Sequence, residues 1–152
     1  MKRWMLSLLM AGHLLTPVFA EGPNVQMAVV SLRNSTQALM VDATLNEAAR
    51  GVFIVDTGAT YTSISREMAE KLQLDLVNAP KVYITTANGR IEVPKVRIHK
   101  LNVNGLEATD VEATVLDIHR GASFSGLLGL SFLRKFKLTI DPFAGQLIFH
   151  LQ

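Results

Sequence analysis

Cysteine is absent from the chain, so it has no disulfides to gain from an oxidising compartment and no thiols to mispair there. Tryptophan occurs once, at Trp4. Charge is sparse as well. Charged residues make up 18% and hydrophobic ones 49%, a balance that excludes a disordered, collagenous or acidic-tail protein. The formal charge of +2 comes entirely from Lys2 and Arg3. From Glu21 onward basic and acidic residues are equal in number, and no basic stripe remains to neutralise phosphates, which argues against nucleic acid as a partner. What is left is 152 residues, enough for one domain with a proper apolar core and hardly enough for two. Repeats, low-complexity tracts and Pro/Gly/Ser-rich linkers are missing too.

The first twenty residues stand apart. Lys2 and Arg3 are followed by a mostly apolar run, Trp4 to Leu15, and then by Pro17 and Val18-Phe19-Ala20. A short positive region, an apolar stretch and a small residue before a cut at Ala20–Glu21 form the pattern of a secretory signal peptide. The alternative is an uncleaved anchor, a short one for a spanning helix and interrupted by His13 and Pro17. Either way residues 21–152 are expected to be exported as one domain, periplasmic or secreted, with membrane contact only if the first segment stays attached.

Short alternating or β-branched runs dominate that domain. The expected strands are Val25–Leu32, Leu39–Leu45 and Val52–Val55, with a loop at Asn46–Gly51. Val52–Val55 is continuously apolar, as suits a strand buried on both faces. Val82–Ala87 and Arg90–Val93 flank Asn88-Gly89, a two-residue hairpin signal. Asn104-Gly105 joins Val96–Val103 to Leu106–Leu116 in the same way. Lys137–Ile140 and Gln146–Phe149 flank a turn at Asp141-Pro142-Phe143-Ala144-Gly145. Two short helices are expected, Arg66–Leu74 capped by Ser65, and about Gly129 to Lys135. The class is mostly β.

Most chemical motifs fail on inspection. His13, His99, His119 and His150 lack metal-ligand spacing, and no metal is expected. Ser123, within Gly121-Ala122-Ser123-Phe124-Ser125, misses the nucleophile-elbow pattern at its last position. No phosphate-binding glycine pattern occurs, so no nucleotide cofactor is implied. Asn34-Ser35-Thr36 fits a glycosylation acceptor, a triplet common by chance. Asp56-Thr57-Gly58 is different because it directly follows the apolar run Val52–Val55. A carboxylate ending a buried strand is costly unless hydrogen-bonded and used. Gly58 can bring a backbone N–H close to it. The tripeptide by itself is also compatible with an ordinary turn closing a hairpin.

Phe53-Ile54-Val55-Asp56-Thr57-Gly58-Ala59-Thr60 resembles the active-site loop of the aspartic proteases, particularly the retropepsin-like ones. Thr85-Thr86-Ala87-Asn88-Gly89-Arg90 lies where that family has its flap. Gly126-Leu127-Leu128-Gly129-Leu130-Ser131-Phe132-Leu133 is similar to the segment and short helix that pass behind the loop. The resemblance covers roughly Val25 to His150 and is nearest the single-domain, exported bacterial members. It implies a closed β-barrel or sandwich with a flap hairpin, and an aspartic endopeptidase needing no metal or cofactor. By resemblance Asp56 is the catalytic acid, and Thr57, Gly58, Ala59 and Thr60 support its loop. Thr86, Ala87, Asn88 and Gly89 would form the flap over an extended peptide. Leu127 and Leu128 would pack beneath the loop, with Gly129 allowing close backbone passage. Tyr83 is assigned to cross-strand or core packing rather than to the flap. Ser131 stands where viral relatives often carry another polar residue, so no role is carried over to it.

The family's chemistry needs two carboxylates sharing one proton. Asp42, Asp75, Asp110, Asp117 and Asp141 all lack the context of Asp56, so the second acid is expected from a second copy of the chain, in a homodimer with two-fold symmetry. The alternative from another class is a non-catalytic dimeric peptide-binding or scaffold module with the same fold.

Overall fold

The computed structural model describes residues 27–31, 38–119, 121–141 and 143–150. The segment 1–20, the ends of the expected strand Val25–Leu32, the Asn34-Ser35-Thr36 triplet and Pro142 lie outside them.

The chain runs β1 (Met27–Ser31), β2 (Met40–Leu45), β3 (Ala49–Val55), β4 (Thr62–Ser65), α1 (Arg66–Lys71), β5 (Lys81–Thr86), β6 (Gly89–Val103), β7 (Leu106–Leu116), β8 (Gly126–Leu128), α2 (Leu130–Leu133), β9 (Lys137–Asp141) and β10 (Gln146–His150). The main sheet has the order β2-β3-β8-β4-β7-β6-β5, and β2 also pairs with β6. That extra pairing closes six strands into a barrel and leaves β5 outside it, attached only to β6. This is the retropepsin-like architecture expected from the resemblance. A second sheet, β1-β10-β9, packs on one end.

One apolar core serves both sheets. β2 alternates, sending Val41, Ala43 and Leu45 inward. Phe53, Ile64, Ile98, Val111 and Leu128 meet them inside the barrel, all fully buried. Phe149 of β10 joins the small sheet to α2 through Phe132 and Phe136, with ring centroids 6.5 and 5.7 Å away. Aromatic edges meeting faces at this range add to the area they bury.

Several boundaries differ from the sequence reading, each for a physical reason. The expected loop Asn46–Gly51 is shorter than that, a turn at 46–48 followed directly by strand. Asn46 and Glu47 take positive φ angles of 47° and 57° and turn the chain at once, so β3 starts at Ala49. Asn46 also ties the turn down, its side-chain oxygen accepting from the Lys100 amide at 3.0 Å. Within β3, only Phe53 of the apolar run is fully buried, while Val52, Ile54 and Val55 stay half-buried in the single chain. Arg90–Val93 and Val96–Val103 form one strand, with Pro94 inside it. Proline cannot donate to a ladder, and it sits where β6 changes partner. Lys81 of β5 pairs with Pro94, and Thr114 of β7 pairs with the next residue, Lys95.

The long β6–β7 hairpin also turns over midway. Inward residues are Ala108 and Leu106 near the turn but Val111 and Ala113 beyond it, and Leu101 and Val103 give way to Ile98 on the facing strand. The switch falls at Asp110, whose φ is +51°. Asn104 and Gly105 at the hairpin turn both have positive φ, 51° and 89°, as a two-residue turn of this kind demands.

The helix after Ser65 is shorter than the expected Arg66–Leu74. Ser65 does cap it, accepting from the Met68 amide at 3.1 Å, but Gln73 takes a φ of +53° and ends it. β4 and β8 were not expected as strands. They are too short to show a period, and their pairing is entirely with strands distant in sequence.

β8 is the tightest fit in the barrel. It lies parallel to β3 and antiparallel to β4, and a Cβ on Gly126 would sit 2.1 Å from the Ser63 carbonyl oxygen and 2.6 Å from the Phe53 ring. Gly126→Ala is therefore expected to destabilise the fold by about 1–3 kcal/mol or more, the usual cost of overpacking. Thermal unfolding checks it, and an unchanged Tm would show that β8 can shift without cost.

Candidate active site

Asp56 follows the last residue of β3, where the strand leaves the sheet. Three backbone contacts fix it. Its N–H donates to the Leu128 carbonyl at 3.1 Å, its own carbonyl accepts from the Ala59 amide at 3.3 Å, and the preceding Val55 N–H donates to Leu39 at 2.8 Å. The carboxylate is half-buried, and its Oδ1 accepts from the Gly58 N–H at 2.9 Å. A Cβ on Gly58 would lie 3.3 Å from that oxygen, so glycine here leaves the amide an open approach. Thr57 and Thr60 are exposed and Ala59 is half-buried.

Beneath the loop, α2 begins against its backbone. The Leu130 N–H donates to the Ala59 carbonyl at 2.8 Å and the Ser131 N–H to Thr60 at 3.0 Å. Two of the N–H groups that every helix start leaves without an internal partner are thus satisfied by the loop itself. Thr62 and Ser131 lock the same junction through their side chains. The Thr62 N–H donates to Ser131 Oγ at 2.8 Å, Ser131 Oγ donates to Thr62 Oγ1 at 3.1 Å, and the Gly129 N–H donates to Thr62 Oγ1 at 3.3 Å. Thr62 is fully buried. Ser131, given no role from sequence, is one half of this clamp. Thr62 is not singled out by the sequence, where it sits in the hydroxyl-rich run Thr60-Tyr61-Thr62-Ser63. Gly129 permits the contact, since a Cβ there would fall 2.2 Å from the Tyr61 carbonyl oxygen.

The Asp56 carboxylate opens into a cleft of about 540 Å³. Gly58, Ala59, Thr60 and Tyr61 form one side, and Ser63 and Thr114 the floor. Leu116 and Leu127 add apolar wall, and Tyr83 to Ala87 of the β5–β6 hairpin form the opposite side. Asp56 is the one carboxylate among these lining residues. The hairpin is the one predicted around Asn88-Gly89, but its register differs. Thr86 pairs with Gly89, so Ala87 and Asn88 are the turn residues. Gly89 has a φ of +109°, whereas Asn88 does not take positive φ. The Thr86 hydroxyl holds the tip, accepting from the Asn88 amide at 3.2 Å and donating to the Gly89 carbonyl at 2.9 Å. Thr86 and Ala87 reach the cleft, and Asn88 and Gly89 lie past its lining.

One sequence expectation needs correcting. Leu128 is fully buried beneath the loop, but Leu127, the alternate residue of the strand, is half-buried and faces the cleft. Tyr83, expected in core or cross-strand packing, takes the second: it is 60% exposed and packs on its diagonal neighbour across the hairpin, Arg90. It stands in the cleft wall with the Arg90 guanidinium 4.4 Å from its ring centroid. Tyr61 is braced likewise, with the Lys95 ammonium 5.7 Å from its ring centre. Lys95 is held by a 2.8 Å hydrogen bond to Glu112. That bond raises the Lys95 pKa and keeps the Glu112 carboxyl below the ordinary glutamate value. Among the described residues no group of histidines and carboxylates is arranged to hold a metal.

The comparisons with known proteins agree with this geometry. Residues 41–135 match the family described as "gag-polyprotein putative aspartyl protease". A retropepsin-like aspartic protease from Rickettsia conorii has a similar structure, with a TM-score of 0.65 and 28% identity, covering 84% of this chain and 92% of that one. A curated protein of Sinorhizobium sp, described as "Uncharacterized protein in cobV 5'region", is 35% identical over 81 residues, 53% of this chain. The match spans only about a third of that protein, 34% of its length. With its barrel, its Asp-Thr-Gly loop and most of its described length inside the matched region, the chain belongs to the retropepsin-like aspartic protease family.

Proposed function

We propose that this protein is an aspartic endopeptidase that works as a homodimer, with Asp56 of each copy meeting across a two-fold axis. One observation carries the reading. A cleft of about 540 Å³ contains one carboxylate among its lining residues, presented at the end of a strand and oriented by a glycine amide. Two carboxylates about 3 Å apart cannot both ionise. One stays protonated and polarises the scissile carbonyl, while the other takes a proton from the attacking water. The gem-diol intermediate then collapses as the departing amine is protonated and the C–N bond breaks. A single chain supplies half of this machinery. The exposed position of Thr57 beside Asp56 supports a second copy at the loop. There, Thr57 of each copy would bond the other beneath the paired acids. Thr86 and Ala87 at the hairpin tip would close over the peptide, with Gly89 shaping the tip, excluding water and holding the substrate extended.

Asp56→Asn keeps the shape of the side chain but removes the base. Peptide hydrolysis is expected to fall by about 10²–10⁴-fold, with thermal unfolding and sedimentation unchanged. Turnover close to wild type in a clean preparation would remove Asp56 from the mechanism.

Because each chain holds half a site, specific activity should fall on dilution through the dimer dissociation constant found by sedimentation. Constant activity per subunit far below that concentration would refute the shared site.

The two glycine turns separate catalysis from stability. Gly89 and Gly105 both have positive φ with nothing close to the side a Cβ would occupy, so Gly89→Val and Gly105→Val should each cost roughly 1–2 kcal/mol of strain. Only Gly89→Val should also cut kcat/KM strongly, because it distorts the hairpin at the cleft. Equal catalytic losses in the two variants would mean that the hairpin does not serve as a flap.

A further inference from the structure

The cleft lining mixes polar and apolar side chains, and two of its hydroxyls are bonded to each other. Ser63 on β4 and Thr114 on β7 are directly paired positions of neighbouring parallel strands. Both line the cleft, yet they are only 4% and 0% exposed. Their hydroxyl oxygens lie 2.9 Å apart in a buried hydrogen bond. A hydroxyl brings one donor hydrogen and two acceptor sites. The shared bond consumes one hydrogen of the two, so one O–H and spare acceptor positions remain on a pair that borders the cleft. Ile84, Leu116 and Leu127 line the same cleft, and none of them can bond to the pair through its side chain.

An occupant of the cleft closes off the little solvent access this pair has, 4% at Ser63. An aliphatic side chain set against it leaves a donor unpaired in an apolar enclosure, which is costly. A small side chain with its own hydroxyl or amide completes the pair without changing the volume filled. We propose that the Ser63–Thr114 hydroxyl pair is a specificity determinant. It selects a small polar side chain (threonine, serine or asparagine) over an apolar one of equal size at one position of the bound peptide. This inference rests on the protease reading above and names the substrate class of that same site.

The test uses peptide libraries in which each position is varied between threonine and valine, which have the same shape. The wild-type dimer is expected to prefer threonine at one position by about tenfold or more in kcat/KM, the scale of one buried donor left unpaired. In the Ser63→Ala/Thr114→Val double variant, that ratio should fall to about one or invert, while preferences at the other positions persist. Thr114→Val alone should give an intermediate ratio. A threonine preference that survives in the double variant overturns the proposal, because it then arises elsewhere. So does a wild-type enzyme that cleaves the libraries with no threonine preference at any position, a result that needs no variant to fold. Libraries left wholly intact by wild type from acid to neutral pH take down the protease reading itself, and this subsite with it.

Discussion

The site depends on a three-residue strand threaded between two others. β8 passes between β3 and β4, so close that Gly126 has no room for a Cβ, and Gly129 just after it has none against the Ala59–Tyr61 backbone. Because it fits, the Leu128 carbonyl reaches the Asp56 N–H, and the chain can enter α2 directly under the Asp56–Thr60 loop. The loop then receives support from below through α2 N–H groups and through the Thr62–Ser131 clamp. A carboxylate at a strand end is normally free to move with its loop. Here the backbone on both sides is pinned by residues about seventy positions away.

That rigidity contrasts with the opposite wall. β5 is bonded only to β6, and the hairpin tip is held by one threonine hydroxyl and carries exposed residues. A fixed acid faces a hairpin outside the closed barrel. In the proposed endopeptidase the barrel would hold the acid in place and the outlying hairpin would yield to an incoming chain. The aromatic walls are steadied by cations rather than by core packing, Tyr83 by Arg90 and Tyr61 by Lys95. The charge of Lys95 is in turn balanced by Glu112, so the wall is braced without adding an unpaired charge to the cleft.

The family, the fold class and the Asp56-Thr57-Gly58 loop were legible in the sequence because their signals are local. An apolar run ending in an acid, two Asn-Gly pairs and a serine at a helix start each act over a few residues. The Asn104-Gly105 turn and the cap at Ser65 took the geometry that their chemistry demands. At Asn88-Gly89 the same local signal misled by one position, since the Thr86 hydroxyl fixes a different register.

What local patterns could not supply was the company each residue keeps. β4 and β8 are too short to show a period, and their strand identity comes from partners far along the chain. Leu127 and Leu128 are alike in sequence, yet one faces the cleft and the other the core, because adjacent strand residues point to opposite faces. Thr62 and Ser131, and Ser63 and Thr114, become hydrogen-bonded pairs only when the barrel closes and brings their segments together. The sequence by itself determined which acid ends the apolar strand in an Asp-Thr-Gly loop and what kind of barrel holds it. The tertiary structure decided which hydroxyls surround that acid and which side chains a substrate would meet, since those contacts exist only between segments that the closed barrel brings into register.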